Sequence, residues 1–311
     1  MTSAKIKNIF IEDIIRDFHV DIISILGSNH NYFNTFSSIQ QPKPHSLIWA
    51  NSQNLSAVED IVTHPYSCVI ITDTPPDCIV PETATVIIVK KSKLFFIDLL
   101  NTYFARKQKT GIHPTAIVNE NARIGENVHI GPHCVIGNCS IGDNCVFEGN
   151  NYVYDNVLIG RNVTAQPGTI LGSSCMAFVR KEDLTLIKFN SFGNLLIEDF
   201  VEFGTNVIVD ISVLESTIIK KGTKINNNCS IGNSVIIGTN NYIAAGVNIN
   251  GSVHIGNNNF IGSGSTIRNK ISIGSNNTIG AGAVVVKHIA DNGTWIGNPA
   301  QQTNKSKGVQ L

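Results

Sequence analysis

From Ile112 onward an aliphatic residue returns at every sixth position: Ile112, Val118, Ile124, Ile130 and Ile136. The phase slips by one residue, then runs from Ile141 through Phe147, Val153, Ile159 and Ala165 to Leu171. It returns at Ile197, Phe203 and Val209. After a four-residue step it holds for thirteen consecutive matches, from Val213 through Ile243 to Val285. A helix needs a period of about 3.6 and a lone strand a period of two. Six is neither. It is one side of a three-sided coil, a short strand with one aliphatic residue pointing into a prism. Gly, Asn or Asp then turns the corner, because these residues tolerate left-handed backbone angles. The register counts twenty-seven hexads, hence nine coils of eighteen residues. Neighbouring coils would pair as parallel strands about 4.8 Å apart.

Residues 1–108 lack the hexad. Segments 20–26, 46–50, 68–72 and 85–89 have the composition of strands, and 92–106 has helical apolar spacing at Leu94, Ile97, Leu100 and Phe104. These predict a small α/β domain over 1–108. The β-helix follows over 109–290. The stretch 172–194 interrupts it with RKEDLTLIKFNSFGN, too polar for a coil and expected to project as a hairpin or loop. A C-terminal tail takes 291–311, and its final dozen residues, without apolar pattern, are expected to fray. The fold class is therefore mainly β, a parallel β-helix of about nine coils with a small N-terminal α/β domain.

Composition narrows the partners. Lys and Arg number 23, as do Asp and Glu, giving net charge zero. That balance gives no reason to expect nucleic acid or an anionic membrane as partner. The N-terminal MTSAKIKNIFIEDIIRDF has charges throughout its apolar residues, so it reads as neither signal peptide nor anchor. No apolar run reaches the roughly 18 residues of a membrane span, and a cytoplasmic protein is expected. The seven cysteines are odd in number and form no CxxC pair. They read as small buried hydrophobes, with no metal site.

Five segments carry a resemblance: HSLIWAN (45–51), VIIVKKSKLFFIDLLNTYF (86–104), IHPTAIV (112–118), FGNLLIEDFVEFGTNVIVD (192–210) and KINNNCSIGNSVIIG (224–238). Through them nearly the whole chain resembles the UDP-3-O-acylglucosamine N-acyltransferases of lipid A biosynthesis. It also resembles the wider group of hexapeptide-repeat acyltransferases acting on nucleotide-linked amino sugars. The resemblance implies left-handed coiling, where parallel crossovers are otherwise nearly always right-handed. It also implies a homotrimer with active sites between subunits, a nucleotide-sugar substrate and an acyl thioester co-substrate.

The same resemblance places candidate residues. The family's catalytic base is a His at the third place of a central hexad, which here holds Asn233; a second family His falls on Lys270. Neutral Asn cannot accept a proton. The Gly whose N–H forms the family's oxyanion hole corresponds to Gly251, and Asp210 matches a family aspartate. The family clamps uracil between an aromatic and an Asn. Asn51 fits, but the aromatic's place is Ile48, with Trp49 beside it. TWIGNPA (294–300) is similar to the tail with which many sugar acetyltransferases grip coenzyme A. That points Asn298 and Pro299 to an acyl-CoA donor rather than to a carrier protein.

Residue chemistry leaves some roles open. His254, three residues from Gly251, is a possible proton acceptor or a solvated surface His. His129 and His133 read as surface residues, and His113 as shaping the first turn. Asp210 could orient a sugar or amine, or only turn a corner. Arg268 and Lys270 could hold phosphates, or be exposed corner cations. The expected activity is transfer of an acyl group, acetyl in the first instance, from acyl-CoA to the amine of a nucleotide-diphosphate amino sugar in surface polysaccharide or lipopolysaccharide biosynthesis. The alternatives are a carrier-protein-dependent lipid A N-acyltransferase and a non-catalytic sugar-nucleotide-binding paralogue. A γ-type carbonic anhydrase needs three zinc His, which the spacing of His113, His129, His133 and His254 does not supply.

Overall fold

In the computed structural model residues 7–63, 67–105 and 108–303 are described. The chain divides into two compact units, Met1–Lys107 and Gln108–Leu311.

In the first unit, strands with alternating side chains build a five-stranded sheet in the order Ile22–Gly27, Ala84–Val89, Cys68–Thr72, Ser46–Trp49, Thr35–Phe36. The first pair is antiparallel and the others are parallel. Alternation sends Leu47, Ile71 and Ile87 to one face, where the helices Ile11–Phe18 and Ser92–Tyr103 pack. It sends Ile48, Ile70 and Val86 to the other, against Leu55–Val62. The helix expected over 92–106 ends at Tyr103, and Arg106 lies outside the described residues. Residues 19–21 form a 3-10 turn, so the strand expected from 20 begins at Ile22. The short helices Ile11–Phe18 and Leu55–Val62 were not anticipated.

In the second unit, strands of mostly two residues stack into three parallel sheets. Face 1 begins at Gly111–Ile112, face 2 at Ile117–Val118 and face 3 at Arg123–Ile124. From Ile130 to Val285 the expected inward residues are buried, and all but Val213 belong to one continuous core. Each fully buried aliphatic side chain is worth roughly 1.5–3 kcal/mol. Ile112, on the terminal rung, is exposed because nothing stacks beneath it. Corners are turned by left-handed residues, as at Asn144, Asn162 and Asn240 with φ of 58°, 56° and 53°. A ladder of buried Asn side chains satisfies itself inside the prism: Asn259 bridges to Asn241 Oδ1 at 2.9 Å, and Gly293 N–H donates to Asn277 Oδ1 at 2.8 Å.

Nine coils form, but not from the expected hexads. Val213 is no side of the prism. It lies buried in the segment between strands Ile208–Asp210 and Ser216–Ile219. The ninth coil is closed instead by Ile289, bridged to Ile273. The 172–194 stretch projects as a hairpin pairing Phe178–Arg180 with Leu186–Lys188. The tail is more ordered than its polarity suggested. Thr294–Ile296 adds to the end of face 1 and pairs with Gln301–Gln302, while residues 304–311 lie outside the described residues.

Candidate functional site

The corner between faces 2 and 3 carries Asn233–Ser234, Gly251–Ser252 and Asn269–Lys270 in three successive coils. The second residue of each pair is left-handed, with φ of 58°, 60° and 61°. Ser252 N–H donates to Asn233 O at 2.9 Å and Lys270 N–H to Gly251 O at 3.1 Å, so the three turns are clipped one upon another. Asn233, Asn250, Gly251, Arg268 and Lys270 line a cavity of about 460 Å³ there. Four residues singled out in the sequence, three of them through the one resemblance, thus meet at one place.

Gly251 is half-buried, and its N–H has no acceptor among the described residues. At the corner between faces 3 and 1 some turn amides are capped by a side chain of the next coil, Arg161 by Asp199, Thr239 by Asn257 and Ser275 by Asp291, whereas at this corner the amides of Asn233 and Asn269, like that of Gly251, have no acceptor among the described residues. An amide left open at a cavity wall can donate to an incoming anion. A Cβ on Gly251 would sit 2.9 Å from Asn233 Oδ1, so the Asn carboxamide lies directly against that wall. Asn233 Nδ2 is 3.4 Å from Ser234 Oγ, which meets Ser212 Oγ at 2.9 Å, while Ser234 N–H donates to Thr217 Oγ1 at 2.9 Å. Nothing in the repeat pattern announced this chain of hydroxyls, because Ser and Thr at these turns look like ordinary corner residues.

Asp210 follows Val209, which pairs with Ile231, so it stands at the same corner one coil before Asn233. Burial pushes its carboxyl up, and the Ser173 hydroxyl, donated to Oδ1 at 2.8 Å, pulls it partly back. Arg268 and Lys270 are exposed at the rim, and neither pairs with a carboxylate among the described residues. Two uncompensated cations beside an open amide favour an anionic ligand.

Other candidates lie apart. His254 stands outward on face 3, in register with Ile236 and Ser272, exposed and outside the cavity lining. His129, read as a surface residue, is instead buried on face 1. His113 Nδ1 meets Thr115 Oγ1 at 2.9 Å in the first turn. Asn298 and Pro299 are exposed, between Gly297 O, which accepts from Val284 N–H, and Ala300 N–H, which donates to Val284 O. They do not line the cavity of Arg268 and Lys270.

In the first unit Ile48 is buried in the core, so Trp49 is the aromatic side chain available there. Trp49 Nε1 donates to Ser92 Oγ at 3.0 Å, and Ser92 donates to Asp73 Oδ2 at 3.0 Å. Asn51 Oδ1 accepts from Gln53 N–H at 3.0 Å, leaving its amide nitrogen for other partners. Trp49 and Asp73 stand at the carboxyl ends of parallel strands, where open α/β sheets take ligands. Sequence reading missed Asp73 and Ser92, which have no spacing signature.

Two family models match parts of the second unit. Residues 252–287 match the bacterial transferase hexapeptide (six repeats), and 121–154 match the hexapeptide repeat of succinyl-transferase. The second unit is thus built of hexapeptide repeats. A curated relative, the UDP-3-O-acylglucosamine N-acyltransferase of Fusobacterium nucleatum, is 38% identical over 60 residues, which span 19% of this chain and 18% of that one. The chain also superposes on solved structures. The UDP-N-acetylglucosamine acyltransferase of Campylobacter jejuni has a TM-score of 0.55 at 19% identity, over 62% of this chain and 74% of that one. Another UDP-N-acetylglucosamine acyltransferase gives 0.57 at 21%, over 62% and 73%. These likenesses establish the fold, a left-handed parallel β-helix. Among the described residues no helix is long and apolar enough to cross a membrane.

Proposed function

We propose that this chain is an acyltransferase that moves an acetyl group from acetyl-CoA to the amine of a nucleotide-diphosphate amino sugar. The observation that carries the reading is the convergence of Asn233, Gly251, Arg268 and Lys270 on one cavity. N-acyl transfer needs a neutral amine, a donor for the developing oxyanion and a destination for the amine proton. Gly251 N–H supplies the donor. The Asn233 carboxamide holds the amine or a neighbouring hydroxyl, and Arg268 and Lys270 hold phosphate. The amine nitrogen attacks the thioester carbonyl carbon, the tetrahedral oxyanion collapses, and the C–S bond breaks. The thiolate that leaves takes up the proton the nitrogen sheds, so no imidazole is required. Losing a general base typically costs about 10²–10⁴-fold, not all activity. Asp210 orients the sugar at the same corner. Trp49 and Asn51 hold the nucleotide base, and three copies assemble about the prism axis. The 38% identity to a UDP-sugar N-acyltransferase supports the substrate class.

The test combines binding with turnover. UDP-, dTDP- and GDP-amino sugars are screened by thermal shift with and without acetyl-CoA, since a ligand of the folded state raises the melting temperature. Those that bind are assayed for N-acetylation. Asn233→Ala is expected to remain active and to lose about tenfold, one hydrogen bond. A wild type that binds a sugar nucleotide but transfers nothing to it would establish a non-catalytic binder. An Asn233→Ala protein that folds and binds but is dead would make Asn233 indispensable and refute the mechanism.

The donor assignment has its own check. Removing the whole tail would strip Trp295, which packs on the core, so truncation confounds binding with stability. The double substitution Asn298→Ala/Pro299→Ala leaves that residue in place. Coenzyme A affinity, measured by calorimetry, is expected to fall about tenfold, roughly 1.4 kcal/mol, with the melting temperature unchanged. Unchanged affinity would leave the tail as a cap only.

A further inference from the structure

The hairpin that leaves the β-helix after Ser173 is apolar where a solvated hairpin would be polar. Its cross-strand pair Val179 and Ile187 is exposed at 61% and 47%. Phe178, Leu186 and Phe189 are exposed as well, and Met176 and Phe192 flank it, also exposed. At the tip Leu184 adopts φ 68°, a region that disfavours a Cβ, with 68% of its surface exposed. Asn or Gly would serve the turn better, so Leu184 is not there for the hairpin's own sake. An isolated two-stranded hairpin is marginal in water. These eight large apolar side chains, each with on the order of 100 Å² still to bury, present on the order of 800 Å², about one partner's share of a standard interface.

A matching surface lies on the same chain. On face 2 the outward positions of five successive rungs are all apolar, Ile117, Val135, Tyr152, Ile170 and Ile208, aligned by the strand register. Above them the column turns polar, at Ser230, Asn248 and Thr266. Ile117, Tyr152 and Ile208 are exposed, so the chain's own hairpin does not cover them. Lys181, Glu182 and Asp183 at the tip oppose insertion into hydrocarbon, whereas the apolar flanks suit a flat ribbon.

We infer that the hairpin of one copy docks on the face 2 ribbon of a second copy of this chain. Hairpin and ribbon are different patches, so the contact can repeat head to tail, and on the trimeric reading it closes into a ring at three copies. The inference deepens the trimeric reading above and rests on it only for the number of copies.

The test is sedimentation of the full chain at micromolar concentration. It compares the wild type, the hairpin variant Val179→Ser/Ile187→Ser, the ribbon variant Tyr152→Ser/Ile208→Ser and Leu184→Asn. Leu184→Asn relieves the turn and so keeps the hairpin folded. Each is expected to weaken assembly by about tenfold or more, as central apolar contacts do, with circular dichroism unchanged. In a mixture of light- and heavy-nitrogen protein, cross-links from Lys188 should join one light and one heavy chain. A monomeric wild type overturns both the trimer and the hairpin's role. A trimer that all three variants leave intact, or cross-links confined to single chains, overturns the hairpin's role and spares the trimer. Co-sedimentation of the wild type, but not the hairpin variant, with anionic phospholipid vesicles would assign the surface to lipid instead.

Discussion

Ile243→Asp is expected to yield no folded protein. Ile243 is fully buried on face 1, between Ile225 and Ile261 of the adjoining coils. Deleting a core aliphatic side chain typically costs about 2–5 kcal/mol, and a lone buried carboxylate adds several more. Together these rival the whole stability of an ordinary domain, about 5–15 kcal/mol. A solenoid has no way around the damage. Each coil contacts only its neighbours, so a fault in one coil cuts the stack in two. Asn248→Asp, on the outward side of the next strand in the chain, should change stability by no more than about 0.5 kcal/mol. Soluble yield and far-UV circular dichroism decide it. A native melting curve for Ile243→Asp would mean that this position is not walled in as the hexad requires.

That expectation could be written from the sequence, because the hexad is a strong signal repeated many times. Each match fixes both the strand and the direction of its side chain. The signal failed only where a single step departed from six. Between Val209 and Ile219 the chain makes ten residues do the work of one side, and Val213 fell on the count by coincidence. Ile289 was overlooked because the preceding step, from Val285, is four. In the first unit the strands 68–72 and 84–89 declared themselves by aliphatic runs. Ile11, Ile14 and Phe18, or Val58, Ile61 and Val62, have helical spacing over barely two turns, which is weak evidence without a partner surface. The surplus of apolar residues in the hairpin was also present in the sequence. RKEDLTLIKFNSFGN reads as polar because its charges dominate, and only the structure shows that Leu184 and Ile187 remain uncovered.

The site was legible in a different way. Repeat spacing says that residues 18 apart stack, so Asn233, Gly251 and Asn269 had to share a corner once the register was known. The spacing says nothing about what a side chain does there. Asp199 and Asp291 cap Arg161 and Ser275, and Asn257 caps Thr239 from eighteen residues on, yet Asn269 at the same spacing does not cap Gly251, and spacing alone does not tell these cases apart. His254 illustrates the converse. It is close to Gly251 in sequence and outward on another face in space, since three residues suffice to turn a corner.

Gly251→Ala is therefore expected to cost far more activity than Asn233→Ala while leaving the fold intact. The φ of Gly251 lies outside the left-handed region, so the backbone accepts a Cβ there. The methyl would lie 2.9 Å from Asn233 Oδ1 and 3.3 Å from Asn233 O. The Asn233 backbone is held by the Ser252 N–H at 2.9 Å, so its carboxamide must swing away. One substitution then does two things: it places a methyl where the oxyanion would meet the amide, and it moves the group that positions the amine. Loss of an oxyanion donor typically lowers kcat by about 10²–10³, against about tenfold for the Asn233 hydrogen bond. Melting temperature should stay close to wild type, and sugar-nucleotide binding should weaken by no more than in Asn233→Ala, since the oxyanion donor acts only on the acyl carbonyl. In the double variant the Asn233→Ala loss should largely disappear, because the carboxamide is already displaced, a non-additivity expected of residues in contact. Full turnover by Gly251→Ala with the amine substrate would show that the carbonyl is polarised elsewhere. A simple product of the two single losses would show that the methyl leaves Asn233 in place.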